Sequence, residues 1–253
     1  MIDSLPLILA SASPRRRELL GALGLAIECV PADIDERQRD REAPPVHVLR
    51  IAREKAAVAA ALRSDGPVLG ADTIVALGET ILGKPASRAD ARRMLGLLSG
   101  RTHAVLTAVC VIWEGREATH LEVANVTFIP VPPALLDWYL ATGEGDDKAG
   151  AYAVQGLGGA LVERVEGNVQ AVVGLPLAPL PGLLARVGVG VVVTGTVLAL
   201  SRLACSDRLP QLAQAEVGED VMAEVRAHGT PPPNPRINSS QRFPCSRGQA
   251  AFA

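Results

Sequence analysis

One carboxylate stands where an apolar strand should run without interruption. Val68, Leu69, Ile74 and Val75 bracket Gly70-Ala71-Asp72-Thr73, and short β-branched, apolar runs of this kind form strands covered on both faces. Burying Asp72 unpaired costs on the order of several kcal/mol, so it needs a cation, a metal ion or a water-filled cleft beside it. A structural ion pair meets that need as well as a catalytic carboxylate does. Of the 25 basic residues only three, Lys55, Lys84 and Lys148, are lysines. Against so strong an arginine preference, a lysine marks either a place that suits a compact ammonium or an ordinary solvated position. Ser11-Ala12-Ser13-Pro14-Arg15-Arg16-Arg17 brings hydroxyls and arginines to the start of a helix, where free N–H groups and the dipole attract anions. A capped surface helix with a solvated arginine run has the same composition. Asp33-Ile34-Asp35-Glu36 offers hard oxygens to a divalent cation or to water. His103 is either a base or a strand histidine held by a hydrogen bond.

Residues 7–10 read as a strand that leads into a helix over 14–23, with Ser13 as N-cap, Pro14 in the first turn and Gly24 as the stop. A strand over 27–30 and a charged loop to Pro45 precede an alanine-rich helix over 46–63, which carries Lys55. The turn Asp65-Gly66-Pro67 then feeds the Asp72 strand. A hairpin over 76–82 ends in Gly83-Lys84-Pro85, whose glycine and proline are expected to fix the lysine's place. Ser87 caps a helix to Leu98 with Asp90 at the capping-box position, and residues 102–113 and 117–129 alternate as an antiparallel pair. After a short helix over 133–142, the charged, glycine-rich segment 146–156 reads as the third wall of a cleft, because small residues let backbone approach a ligand. A strand over 159–166 follows, and Gly174-Leu175-Pro176-Leu177 opens onto a terminal helix ending near Val187.

At 253 residues the chain suits one large domain or a domain with an extension, and a hydrophobic share of 48% supports a buried core. A formal charge of −2 and only two Trp, two Tyr and three Phe leave neither a basic footprint nor a stacking surface for nucleic acid. Cys29, Cys110, Cys205 and Cys245 show no C-x-x-C spacing, which argues against a zinc site or a disulfide framework and fits a reducing cytoplasm. No signal peptide is legible. The apolar stretch 189–200 is too short and too broken by glycine to span a bilayer, where about 20 residues are needed.

Six segments in order, Ser11-Ala12-Ser13-Pro14-Arg15-Arg16, Gly70-Ala71-Asp72-Thr73, Gly83-Lys84-Pro85, Ser99-Gly100-Arg101-Thr102-His103, Asp147-Lys148-Ala149-Gly150-Ala151-Tyr152 and Gly174-Leu175-Pro176-Leu177, resemble the motifs of the Maf family. These are nucleoside triphosphate pyrophosphatases, once described as septum formation proteins. Each motif alone is weak, but the ordered set is highly specific. The resemblance implies an α/β fold like that of inosine triphosphate pyrophosphatase: a mixed β-sheet with flanking helices, in two lobes around a central cleft. It also implies a homodimer, and hydrolysis of a nucleoside triphosphate to the monophosphate and pyrophosphate with a divalent cation, magnesium or manganese. The substrate-selecting positions of the family map onto Arg16, Thr73 and Gln155, whose identities resemble the subgroup acting on dTTP and UTP, with modified pyrimidine nucleotides as further substrates. A sister subgroup prefers 7-methyl-GTP.

In the implied cleft, Lys55, Lys84, Arg15 and the helix start at Ser13 neutralise the phosphates, since phosphoryl attack depends on positioning and charge. Asp72 acts as general base on a metal-bound water, and Glu36 joins Asp72 as metal carboxylate. Thr73 and Gln155 hydrogen-bond the pyrimidine edge. Lys148 stays open between a phosphate contact and an ion pair. Gly145 stands where the family usually has proline and Ala153 where glycine is common, changes expected to alter loop stiffness modestly. Residues 1–187 thus read as the Maf-like domain and 188–253 as an extension without a family motif. That extension joins the apolar stretch, a helix compatible with 209–228 and a proline-rich, disordered end. The competing class is a regulator of septation that binds triphosphates without turnover. Such a sensor needs the cations but no placed base, so Asp72 and Glu36 favour the enzyme.

Overall fold

The computed structural model describes residues 5–203, so the helix expected over 209–228 and the proline-rich end lie outside the described residues. A mixed sheet forms the frame. Its strands are β1 (Leu7–Leu9), β2 (Ile27–Cys29), β3 (Val68–Leu77), β4 (Thr80–Leu82), β5 (Thr102–Trp113), β6 (Arg116–Phe128) and β7 (Val162–Glu166). They lie in the order β2-β1-β3-β5-β6-β7, with β4 paired to β3. β1 is parallel to both β2 and β3, and the other pairs are antiparallel. The helices are α1 (Pro14–Gly21), α2 (Pro44–Leu62), α3 (Arg88–Leu98), α4 (Pro133–Thr142), α5 (Val169–Val173) and α6 (Leu180–Arg186). From β1 the chain turns to β2 on one side and returns through α2 to β3 on the other. Such a reversal opens a crevice beyond the carboxyl end of β1.

Alternation along β1 assigns the two faces. Leu7 and Leu9 pack with Leu20 of α1 and Leu183 and Leu184 of α6, while Ile8 and Ala10 pack with Val48, Ala52 and Ala56 of α2. A third cluster joins the far parts of β5 and β6 to Leu95 and Leu98 of α3 and Tyr139 of α4, forming the other lobe. α2 presses hardest on the sheet at Gly70, where a Cβ would lie 2.3 Å from the Ala52 carbonyl oxygen and 2.6 Å from the Ala56 nitrogen. Helix and strand therefore meet backbone to backbone two residues before Asp72.

Several boundaries differ from the sequence reading for local reasons. α2 starts at Pro44, because Pro44 and Pro45 occupy its first turn, where a missing N–H costs nothing. Ser13 stands at the N-cap of α1 with extended backbone, but its side chain makes no capping bond; its own N–H donates to Ser11 Oγ at 3.1 Å. Residues 157–161 form a 3₁₀ turn, so β7 begins only at Val162. The short helix α5, capped by Asn168, was not foreseen. The β5–β6 connection is a two-residue turn with φ of 47° at Glu114 and 74° at Gly115, the turn that suits the twist of a hairpin.

The apolar stretch after Gly188 is a hairpin, β8 (Val189–Thr194) and β9 (Val197–Arg202), laid on the β1 side of the sheet. Val189 and Leu200 are fully buried in the same core as Leu7 and Leu9, and Leu5 N–H donates to the Leu200 carbonyl at 2.9 Å. The Arg202 guanidinium lies 5.3 Å from the Trp113 ring centroid and pairs with Glu114.

The contact at Gly70 separates two alanine substitutions by sign. Gly70→Ala should cost about 1–3 kcal/mol or more in urea unfolding, since the added methyl meets backbone. Gly96→Ala, on α3 with open space around the new methyl, should gain up to about 1 kcal/mol.

Candidate active site

The nine residues singled out above, Ser13, Arg15, Arg16, Glu36, Lys55, Asp72, Thr73, Lys84 and Gln155, all line one cleft of about 830 Å³. It opens beyond the carboxyl end of β1, where β3 runs on without that neighbour. Alternation along β3 sends Asp72 to the α2 side and Thr73 to the α1 side.

On the α2 side, Lys55 Nζ lies 2.9 Å from Asp72 Oδ1 and 2.7 Å from Glu36 Oε1. Lys55 and Asp72 are buried, and Glu36 is half exposed at the mouth. Burial works against the Glu36 carboxylate, but the hydrogen bond and charge of Lys55, with Lys84 and Arg16 behind, hold it below its ordinary value. Glu36 sits on a long loop that α2 straps down. Arg50 grips Glu42 at 2.6 and 2.8 Å and donates to the Arg37 carbonyl at 3.0 Å, while Arg39 reaches Glu54 at 2.9 Å. His47 Nδ1, 3.0 Å from Glu42 Oε2, adds a contact on the cleft side. Of the three acids in Asp33-Ile34-Asp35-Glu36, only Glu36 lines the cleft; Asp35 pairs with the exposed Arg37.

On the α1 side, buried Arg16 donates to the Gly174 carbonyl at 2.9 Å, to Ser11 Oγ at 3.1 Å and to Thr73 Oγ1 at 3.1 Å. Burial pulls the Arg16 pKa down and Asp72 opposes it. Thr73 Oγ1 lies 2.8 Å from Thr107 Oγ1, which donates to the Ala171 carbonyl at 2.7 Å. The unforeseen α5 thus supplies the Ala171 carbonyl and, at its end, that of Gly174. Arg15 and the first turn of α1 form the adjoining rim, where the Ser13 hydroxyl leaves the turn's amides unblocked.

The third wall is 144–156. Glu144 accepts from the Leu157 and Gly158 amides, both at 2.9 Å, and from Tyr139 Oη at 3.0 Å. Despite burial, these donors hold its pKa below the ordinary value. Tyr139 Oη in turn accepts from the Ala153 amide at 3.2 Å, so the backbone is clamped on both sides of exposed Gln155. Gly145 is buried with the Ala151 carbonyl oxygen 2.1 Å from where a Cβ would be, so this backbone has no room for the family's proline. Lys148 pairs with Asp147, whose pKa is lowered first by Lys148 and, further off, by the charge of Arg15. Lys84 is exposed on the rim. Open space surrounds Gly83, so steric need does not fix it; the Gly150 amide, 3.1 Å from the Gly83 carbonyl, does.

His103 is no base. It is fully buried, its Nε2 lies 2.9 Å from Tyr152 Oη, and desolvation pushes its pKa down to about 3. Phe128 and Tyr152 pack edge-on against it. Sequence reasoning missed Thr107, Glu144 and His47 as parts of the site, because each acts through a contact made by folding.

Glu36 and Asp72 place hard oxygens within reach of a single ammonium nitrogen. No group of three or more His, Cys, Asp or Glu suited to a metal occurs among the described residues. Two carboxylates, with phosphate and water oxygens completing the shell, are the donor set that magnesium takes, so the residues fit such an ion.

Converging carboxylates, a cationic rim and an open helix start, at the end of a parallel strand in a mixed sheet, define an α/β protein built to hold a phosphorylated ligand. No described helix is long and apolar enough to cross a membrane. The chain belongs to the Maf family: the model described as Maf-like protein matches residues 6–187. A dTTP/UTP pyrophosphatase of Anaeromyxobacter dehalogenans strain 2CP-1 is 56% identical over 187 residues, covering 72% of this chain and 94% of the relative. Relatives of the same name from Alcanivorax borkumensis and Shewanella oneidensis are 54% and 47% identical, over 68% and 72% of this chain and 90% and 98% of theirs.

The strap on the Glu36 loop makes a pH prediction. Arg50 holds the Glu42 pKa down to about 2 from an ordinary 4.5, so its stabilising effect is present above about pH 4.5 and is lost as pH falls towards 2. Urea unfolding across that window should show wild type losing more stability than Glu42→Gln; parallel curves would remove Glu42 from the acid response.

Proposed function

We propose that this protein hydrolyses dTTP and UTP, and modified pyrimidine nucleotides, to the nucleoside monophosphate and pyrophosphate. The convergence of Asp72, Glu36 and Lys55 in a cation-rimmed cleft carries the reading. The relatives' shared name supports the choice of pyrimidine triphosphates. Glu36 and Asp72 would hold a divalent cation, magnesium or manganese, which when bound would neutralise phosphate charge and acidify water. Arg15, Lys84 and the first-turn amides after Ser13 hold the triphosphate in line for attack, which is most of what phosphoryl transfer requires. Lys55 keeps the two carboxylates together and adds a positive charge beside the phosphates. Asp72 takes the proton of the attacking water as its oxygen bonds the α-phosphorus. The bond to the bridging oxygen breaks, and pyrophosphate leaves along the cationic rim.

Arg16, Thr73 and Gln155 face the base, and a wrong base leaves buried Arg16 and half-buried Thr73 unpaired. The same reading includes a homodimer working in the cytoplasm, carried by the family resemblance.

Pyrophosphate release from a panel of nucleoside triphosphates with magnesium or manganese tests the assignment. dTTP and UTP should turn over fastest, and Asp72→Asn should lower kcat by about 10²–10⁴-fold while nucleotide binding persists. Tight binding without release from any triphosphate would replace the enzyme with a sensor. Light scattering should give twice the chain mass; a monomer would remove the dimer from this reading.

A further inference from the structure

We propose that Thr107, a buried residue off the cleft wall, sets which pyrimidine the site accepts by fixing the proton of Thr73. Thr73 then shows the base an acceptor beside the donor Arg16, a pair that matches the imide edge of uracil and thymine and opposes that of cytosine. The inference rests on the reading above in which Arg16 and Thr73 face the base.

The proton positions follow by elimination. Thr73 and Thr107 are direct partners across β3 and β5, with their hydroxyl oxygens 2.8 Å apart. Either could donate if the pair stood alone. Thr107, however, lies 2.7 Å from the Ala171 carbonyl, which can only accept, so its single proton goes there. Thr107 can then only accept from Thr73, and Thr73 gives its proton away from the cleft. Arg16 Nη2, donating to Thr73 at 3.1 Å, fits that direction, since it too needs an acceptor.

What remains for a ligand is fixed in kind. Thr73 lines the cleft half buried, with one donor and one lone pair committed and a lone pair left. Arg16 uses three of its N–H groups on Gly174, Ser11 and Thr73, and the guanidinium has five. The site therefore shows an acceptor beside spare donors.

Uracil and thymine carry an N3–H donor next to the O4 carbonyl acceptor, so Thr73 meets N3–H and Arg16 meets O4. Cytosine reverses the edge, with an N3 acceptor beside an amino donor. Each site group would then face its own kind, and buried polar groups left unpaired discriminate far better than lost apolar contact. Thr107 is fully buried and acts only through Thr73, which makes it a positioning residue.

The test compares kcat/KM for UTP and CTP in wild type, Thr107→Val, Thr107→Ser and Thr73→Val. Thr107→Val frees the Thr73 proton to rotate towards cytosine N3, so the UTP:CTP ratio should fall by about tenfold or more, while Thr107→Ser keeps it. An equal fall for both nucleotides in Thr107→Val would make Thr107 merely structural and overturn the proposal. A ratio kept by Thr107→Val but lost by Thr73→Val would overturn the role of Thr107 alone. A ratio kept by Thr73→Val would take Thr73 off the base and overturn both readings. If Thr107→Val does not fold, the wild-type protein decides with 3-methyl-UTP, which lacks the N3 proton. Its kcat/KM should drop by about tenfold or more against UTP, and equal turnover would refute the match.

Discussion

α2 lies against β3 with no side chain between them at Gly70, and the site depends on that closeness. Because the Ala52 and Ala56 backbone occupies the space a Cβ would need, Lys55 in the same turn of helix reaches Asp72 at 2.9 Å and draws in Glu36 at 2.7 Å. Unpaired, Asp72 would be a buried charge costing on the order of several kcal/mol; paired this way, it marks the point where three elements converge. α2 also holds the loop that delivers Glu36, through Arg50 and Glu54. One helix therefore fixes both carboxylates and the cation between them.

The strand divides the remaining work. Adjacent residues of β3 face opposite sides of the sheet, so Asp72 and Thr73 serve different partners although one peptide bond joins them. On one side lie the two carboxylates and Lys55; on the other, Arg16, Thr73, Thr107 and the carbonyls of α5 form an oriented chain of hydrogen bonds. Asp72, Thr73 and Thr107 sit on strands paired with each other along most of their length, which gives them the rigidity a site needs. Gln155 differs: it projects from a loop held by Glu144 and Tyr139 rather than by a sheet.

Features written in local chemistry were legible before folding. The Asp72 strand, the capping of α3 by Ser87 and the β5–β6 hairpin all rest on neighbours within a few residues. Six of the nine cleft residues, Ser13, Arg15, Arg16, Asp72, Thr73 and Lys84, could be named because the family motifs carry them; Lys55 stood out as one of three lysines, Glu36 as a loop acid and Gln155 as a substrate-selecting position of the family. What escaped notice lacks a local signature. α5 is five residues long between two glycines, too short for a helical period to show. A threonine in the middle of a strand looks like any other, and Thr107 acquires its role only from cross-strand register and the arrival of α5. Glu144 looks like a loop acid until three donors close on it. Gly145 looked like a mild change from proline, whereas the Ala151 carbonyl leaves no space there for a ring.

The bridge between Leu5 and Leu200 bears on how the chain is made. β1 finds part of its cover in a hairpin that is synthesised almost 200 residues later. A nascent chain halted before Val189 would carry β1, α1 and α6 with that part of their apolar surface bare. The cover over Leu7 and Leu9 is complete only once that hairpin has been made, and until then part of their apolar surface is open to the wrong contacts.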